Sequence, residues 1–223
     1  MTTAPIQQEV ATPHGHARVH LYAADGTADG GSAPRAVLLL GHGAGGGIGA
    51  PDLIAICCVA NRHGLLVALV EQPYRVAGRR APAPASHLDA SWLAIVKHLR
   101  AGDLGGLPLI TGGRSSGARV ACRTAQRTAS TAVLCLAFPL LPPGRPGVTR
   151  LAELDDLDLA GLPVLVVQGA NDRFGTPPGA QNRTVVVVGG DHSLKQDLPA
   201  VEHAVAGWLM DLLGPSHEDA GRP

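Results

Sequence analysis

The stretch that most limits what this chain can fold into begins at Leu107 and ends near Ala129. A short apolar segment, Leu107 to Ile110, leads into Gly113-Arg114-Ser115-Ser116-Gly117, and an Ala- and Arg-rich segment that reads as a helix follows. Strand, G-x-S-x-G and helix in that order is the setting in which a serine rides a strained turn with its hydroxyl projecting into a cleft. The spacing has a steric cause. Glycines two before and two after Ser115 remove side chains that would collide in so tight a turn. Ser116 competes for the role, but Arg114 and Ala118 occupy the corresponding positions around it, so the pattern favours Ser115.

Three further segments end in residues that such a serine needs. Arg35 to Gly47 is a hydrophobic strand opening into a glycine-rich turn, with a helix expected from Pro51. A backbone N–H in that turn, from Gly43 or Ala44, would join the N–H of Ser116 in holding a developing oxyanion. A phosphate-binding loop would also be glycine-rich, but no G-x-G-x-x-G with a downstream acidic residue and no G-K-[ST] occurs here. Leu162 to Asp172 is a buried-type strand ending in a polar turn, and Arg183 to His192 is another. Both end groups lie just past strand C-termini, where sites form in open parallel sheets. A serine hydroxyl needs His192 to accept its proton, and His192 needs a carboxylate to fix its tautomer. Asp191 competes with Asp172, but a side chain adjacent to the histidine is badly placed to reach its ring. Asp155, Asp156 and Asp158 precede their strand and read as solvated loop or helix-face charges.

The order Ser115, Asp172, His192 is that of the α/β-hydrolases, not of chymotrypsin or subtilisin. The chain resembles that superfamily, and more narrowly a small cap-less group that includes testis-expressed protein 30 and the KAT8 regulatory NSL complex subunit 3. The likeness rests on Gly41 to Gly47, Gln72 to Arg75 with Gly78 to Arg80, and Gly112 to Arg119. It extends through Phe138 to Pro146, Gln168 to Pro177 and Gly190 to Lys195. It implies nucleophile, acid and base at Ser115, Asp172 and His192, in agreement with the strand-end argument. One departure is plain: the elbow in that group usually reads Gly-Lys-Ser-Met-Gly-Gly-Arg, and here it is Gly-Arg-Ser-Ser-Gly-Ala-Arg. A smaller residue beside the nucleophile means that substrate preference does not carry over.

A length of 223 residues suits one α/β unit with a large core, expected over 1–213 with a flexible tail at 214–223. Eighteen basic and eighteen acidic residues balance, which gives no electrostatic basis for nucleic acid or a membrane surface as partner. The N-terminal residues have neither a basic region nor an apolar stretch, and no apolar run reaches the ~18 residues of a membrane span, so the cytoplasm is the expected location. Cys57, Cys58, Cys122 and Cys135 show no C-x-x-C spacing and read as packing thiols, and the ten histidines show no H-E-x-x-H spacing. No metal and no cofactor is expected.

Alternation of strands and helices predicts a mainly parallel, doubly wound sheet with helices on both faces. The expected order is an N-terminal hairpin turning at Pro13 to Gly15, a loop at Ala24 to Pro34, and strands 36–40, 65–70, 107–111, 132–137, 163–168 and 184–188. Helices are expected at 51–63, 87–100, 116–128 and 198–213. The stretch between Ala137 and Pro163 is too short for a helical cap, so the cleft should lie open. Aromatic residues are only 3% of the chain, which argues for aliphatic walls over stacking. Arg79 and Arg80 are candidates to bind an anionic group of the substrate. The reading is a serine hydrolase acting on small carboxylic esters. A non-catalytic interaction domain of the same fold, or an acyl-thioesterase, is the alternative; the natural substrate and the oligomeric state are beyond the sequence.

Overall fold

The computed structural model describes residues 4–24, 33–102 and 104–214. The apolar runs become strands in one eight-stranded sheet: β1 (Ile6–Thr12), β2 (Gly15–Tyr22), β3 (Ala36–Gly41), β4 (Leu65–Glu71), β5 (Leu109–Arg114), β6 (Ala132–Leu136), β7 (Val164–Gly169) and β8 (Arg183–Val188). Their spatial order is β1-β2-β4-β3-β5-β6-β7-β8. The β1–β2 hairpin and the β2–β4 pairing are antiparallel, and every pairing from β4 to β8 is parallel. β3 and β6 are buried at every position, as strands covered on both faces must be.

Alternate side chains along each strand feed different helices. Leu38 and Leu40 of β3 pack with Leu53 and Ile56 of α1 (Pro51–Arg62) and with Val201 and Val205 of α6 (Leu198–Leu213). Val37 and Leu39 face the other way, against Leu88, Trp92 and Ile95 of α3 (Ala85–Ala101). Farther along that face, Ala118, Ala121 and Cys122 of α4 (Ser116–Thr124) pack on Val133 and Cys135. The result is the mainly parallel sheet with helices on both faces that the strand–helix rhythm predicts, and it is the α/β-hydrolase fold that the resemblance implies.

Two helices appear where the sequence pattern gave none. The four-residue α2 (Pro73–Val76) starts on a proline whose missing N–H costs nothing at that position. The acidic α5 (Ala152–Leu159) buries only Leu154 and Leu157, too sparse a stripe to register as amphipathic. Its charges are not all solvated: Asp155 accepts from Arg183 at 3.0 Å and Asp158 from the Asn182 N–H at 2.6 Å. In the other direction, α4 ends at Thr124 and not at 128, and the chain continues in turns where the Thr128 hydroxyl donates to the Thr124 and Ala125 carbonyls. Residues 25–32 of the expected loop and 215–223 of the expected tail lie outside the described residues. Between β6 and β7 the chain carries α5 and turns but no cap. Among the described residues no helix is long and apolar enough to cross a membrane.

The chain runs from β3 to β4 on one side and then returns to place β5 on the other. The strand ends of β3 and β5 therefore flank a topological switch point, the crevice where open α/β sheets bind ligands.

Candidate active site

Ser115 occupies the turn between β5 and α4 with φ 52° and ψ −106°, a backbone region that L-residues avoid. Such strain costs of order 1–3 kcal/mol and persists only where the surroundings impose it. Here they do. The Ser115 N–H donates to Leu136 O at 2.8 Å, and α4 presses so closely on β3 that a Cβ at Gly117 would overlap the carbonyl of Gly41. Gly113 has the same backbone, Gly41, as its neighbour.

His192, in the loop after β8, brings Nε2 to 2.9 Å from Ser115 Oγ and Nδ1 to 2.7 Å from Asp172 Oδ2. With Nδ1–H donating to the carboxylate, Nε2 presents its lone pair to the serine hydroxyl, the tautomer a general base requires. Asp172 follows β7, its side chain fully enclosed against 20% exposure for that of His192. Its other partners are the Phe174 N–H at 2.9 Å and the Gln168 side-chain amide at 2.6 Å. Gln168 was not singled out from sequence; the signal is a lone polar residue closing the apolar run of β7. Phe174 stands edge-on to the His192 ring with centroids 4.6 Å apart, limiting its rotation. Asp191 does not reach the ring. It accepts from the Ser193 N–H and hydroxyl, and these bonds hold its carboxyl below the usual range.

The turn after β3 is tied down from two sides. His42 is buried, and burial pushes its pKa down, so the ring is neutral. Its Nε2 accepts from the Gln72 N–H at 3.2 Å, which leaves Nδ1–H to donate to Gly43 O at 2.8 Å. The Tyr74 hydroxyl donates to Ala44 O at 2.9 Å. With those carbonyls engaged, the N–H groups of Gly43, Ala44 and Ser116 have no acceptor among the described residues, as donors awaiting an oxyanion would.

Arg114 joins these parts. Its Nε lies 2.9 Å from Asp52 Oδ2 at the start of α1, and its Nη2 donates to His192 O at 2.9 Å. A Cβ at Gly43 would come within 2.9 Å of its Nη1, so the guanidinium also lies against the turn after β3. One side chain thus spans the turns after β3, β5 and β8. Asp52 is completely buried; desolvation raises its pKa, and Arg114 opposes the rise.

Beside His192 opens a pocket of about 310 Å³ walled by Arg114, Asn171, Arg173, Phe174, Asp191 and Ser193. Arg79 is not part of it. It lines a separate cleft of about 560 Å³ at the β1–β2 hairpin, and Arg80 lines neither. Cys57, Cys122 and Cys135 are buried packing thiols, with burial pushing Cys57 up to about 12. Among the described residues no group of three His, Cys, Asp or Glu side chains could hold a metal ion.

Residues 34–201 match the model of a family described as an alpha/beta hydrolase domain. Among solved structures, the chain is similar to Est1E from Butyrivibrio proteoclasticus at 16% identity and a TM-score of 0.76, covering 96% of this chain and 100% of that one. An alpha-beta serine hydrolase homologue from Coxiella burnetii matches at 14% identity and 0.73, over 93% and 98%. A serine hydrolase without a lid from Xanthomonas campestris matches at 17% and 0.70, over 92% and 95%. No curated protein matches.

Proposed function

Because this chain belongs to the alpha/beta hydrolase domain family, we propose that it is a serine hydrolase that cleaves small carboxylic esters through an acyl-enzyme on Ser115. The observation that carries the reading is the unbroken chain from Ser115 Oγ to His192 Nε2 at 2.9 Å and from His192 Nδ1 to the enclosed Asp172 at 2.7 Å. Ser115 Oγ attacks the acyl carbon while His192 takes its proton. The carbonyl oxygen becomes an oxyanion facing the N–H groups of Ser116 and of Ala44 or Gly43. Collapse breaks the bond to the alkoxide, which leaves with the proton from His192. Water, deprotonated by the same ring, then releases the acyl group and restores the serine. Esters suit this site better than amides because an alkoxide demands less of the acid than an amine does.

Within the family, the Phe138 to Pro146 and Asp172 to Pro177 segments support kinship with the small group that includes testis-expressed protein 30. The deciding experiment is active-site labelling. A fluorophosphonate should modify Ser115, and Ser115→Ala should lose both the label and nitrophenyl acetate turnover, while Ser116→Ala keeps the label. Label on Ser116, or on no residue, would reject the reading.

A further inference from the structure

We propose that the acyl part of the substrate ends in an anionic group, a carboxylate or phosphate, bound at Arg79 in the cleft beyond the end of β4. The proposal rests on the serine-hydrolase reading and adds a substrate class to it.

The leaving group fixes one direction. The leaving group must face His192 to receive its proton. His192 and Asp172 follow β8 and β7, which lie on one side of β5. On this proposal the acyl chain runs to the other side, past the N–H groups of Gly43 and Ala44 and over the ends of β3 and β4. Adjacent strands are about 4.8 Å apart, so the end of β4 lies roughly 10 Å from Ser115 and that of β2 roughly 14 Å. There the structure opens its cleft of about 560 Å³, a volume that accommodates a small organic molecule.

Its walls are the hairpin turn at His14 to His16 and the first turns of α3, and its floor is Gln72 to Tyr74. The walls are braced. The His14 and His87 rings stack at 3.7 Å, and Thr12 Oγ1 lies 3.1 Å from Ser91 Oγ. Val76, Ala83 and Leu88 offer apolar surface to a methylene chain.

Charge selects the terminal group. No Asp or Glu lines the cleft, and Arg79 forms no ion pair among the described residues. Nearby carboxylates are committed elsewhere: Glu71 to Arg18 and His20, Asp89 to Arg123. The Arg79 peptide is itself anchored, its N–H donating to Tyr74 O at 2.8 Å and its carbonyl accepting from Arg75 at 3.5 Å. Tyr74 also holds the Ala44 carbonyl, so the cleft floor and the oxyanion turn share a side chain.

The test uses the mono-nitrophenyl ester of sebacic acid, whose free carboxylate stands roughly 11 Å from the scissile carbonyl, and its neutral methyl ester of equal length. The expected result is a kcat/KM about fivefold higher for the anion, an exposed ion pair's worth, which shrinks as salt is raised. Arg79→Gln should bring the anion-to-neutral ratio to about one. Monomethyl sebacate should bind Ser115→Ala protein in calorimetry, and bind it more weakly when Arg79→Gln is added. A nitrophenyl phosphonate-bearing ester of similar length separates carboxylate from phosphate-type recognition by its own ratio. Equal rates for anion and neutral ester, or a preference that survives Arg79→Gln, would overturn the proposal while leaving the esterase intact. Absence of both labelling and turnover would instead remove the esterase reading, and calorimetry would then judge the anion site alone.

Discussion

Arg114→Met should cost more in stability than any other surface-reaching substitution at the site, and the cost should depend on pH in a calculable direction. The Asp52 side chain is 1% exposed and that of Arg114 16%, so the pair sits out of solvent. Removing one member of such a pair strands a buried charge and costs about 3–5 kcal/mol. Against the 5–15 kcal/mol typical of folded domains, that is a large fraction, equivalent to a fall in Tm of roughly 6–20 °C at this size. Asp52 supplies the pH dependence. Its folded pKa is raised by desolvation, with Arg114 the first opposing influence. A raised carboxylate favours the folded state fully below its unfolded pKa and loses that contribution as pH rises through the folded value. Without Arg114 the folded value climbs further, so the variant's deficit is greatest at alkaline pH and shrinks on acidification, as Asp52 takes up a proton. Urea unfolding of wild type and variant at about pH 8 and pH 5 measures both gaps. Adding Asp52→Asn should recover most of the lost stability, since no charge is then stranded. It should not recover activity, because His192 O still lacks its donor, and misplacing a catalytic ring by an ångström can cost about 10²-fold. A gap that is the same at both pH values, or a double variant no more stable than Arg114→Met, would refute this account.

Two further outcomes follow from the same geometry. Asp172→Asn should lower kcat by about 10⁴, the scale seen when a triad carboxylate is replaced and the histidine tautomer is lost, whereas Asp191→Asn, whose carboxylate bonds Ser193 and not the His192 ring among the described residues, should stay within a few-fold of wild type by steady-state kinetics. Gly117→Ala should destabilise by at least the ~1–3 kcal/mol typical of overpacking, because its Cβ would meet the Gly41 backbone and not a yielding side chain; thermal unfolding unchanged from wild type would show that α4 does not need its close approach to β3.

The sheet was legible because its strands announce themselves twice, by apolar runs and by the polar or glycine-rich turns that end them. β3, β7 and β8 were bounded to within a residue or so on that basis. The same double signal located Ser115, Asp172 and His192, since each stands at a strand end where the chain abruptly turns polar. α5 escaped because AELDDLDL buries two leucines only and is held largely by what its acidic residues reach, Arg119 and Arg183 on other elements. Such partners have no periodic signature. α2 escaped because four residues cannot display a period at all.

What the sequence concealed about the site is the set of interactions that cross between loops. Arg114 is legible only as the variable residue of G-x-S-x-G, and Asp52 only as a charge at a helix start. Nothing local says that one neutralises the other, yet together they tie the turn after β3, the Ser115 turn and the His192 loop to one another. Gln168 is similar: its amide reaches Asp172, Phe138 O and Gly175 O, and so secures the carboxylate that secures the histidine. The three side chains that meet were readable because each is a distinctive residue type at a strand end. The positioning was not, because a brace is defined by which distant backbone it meets, and many residue types at many positions could serve. Arg79 makes the same point in reverse: its residue type suggested an anion, but only the fold separates it from Arg80 and sets it in a cleft free of acidic side chains.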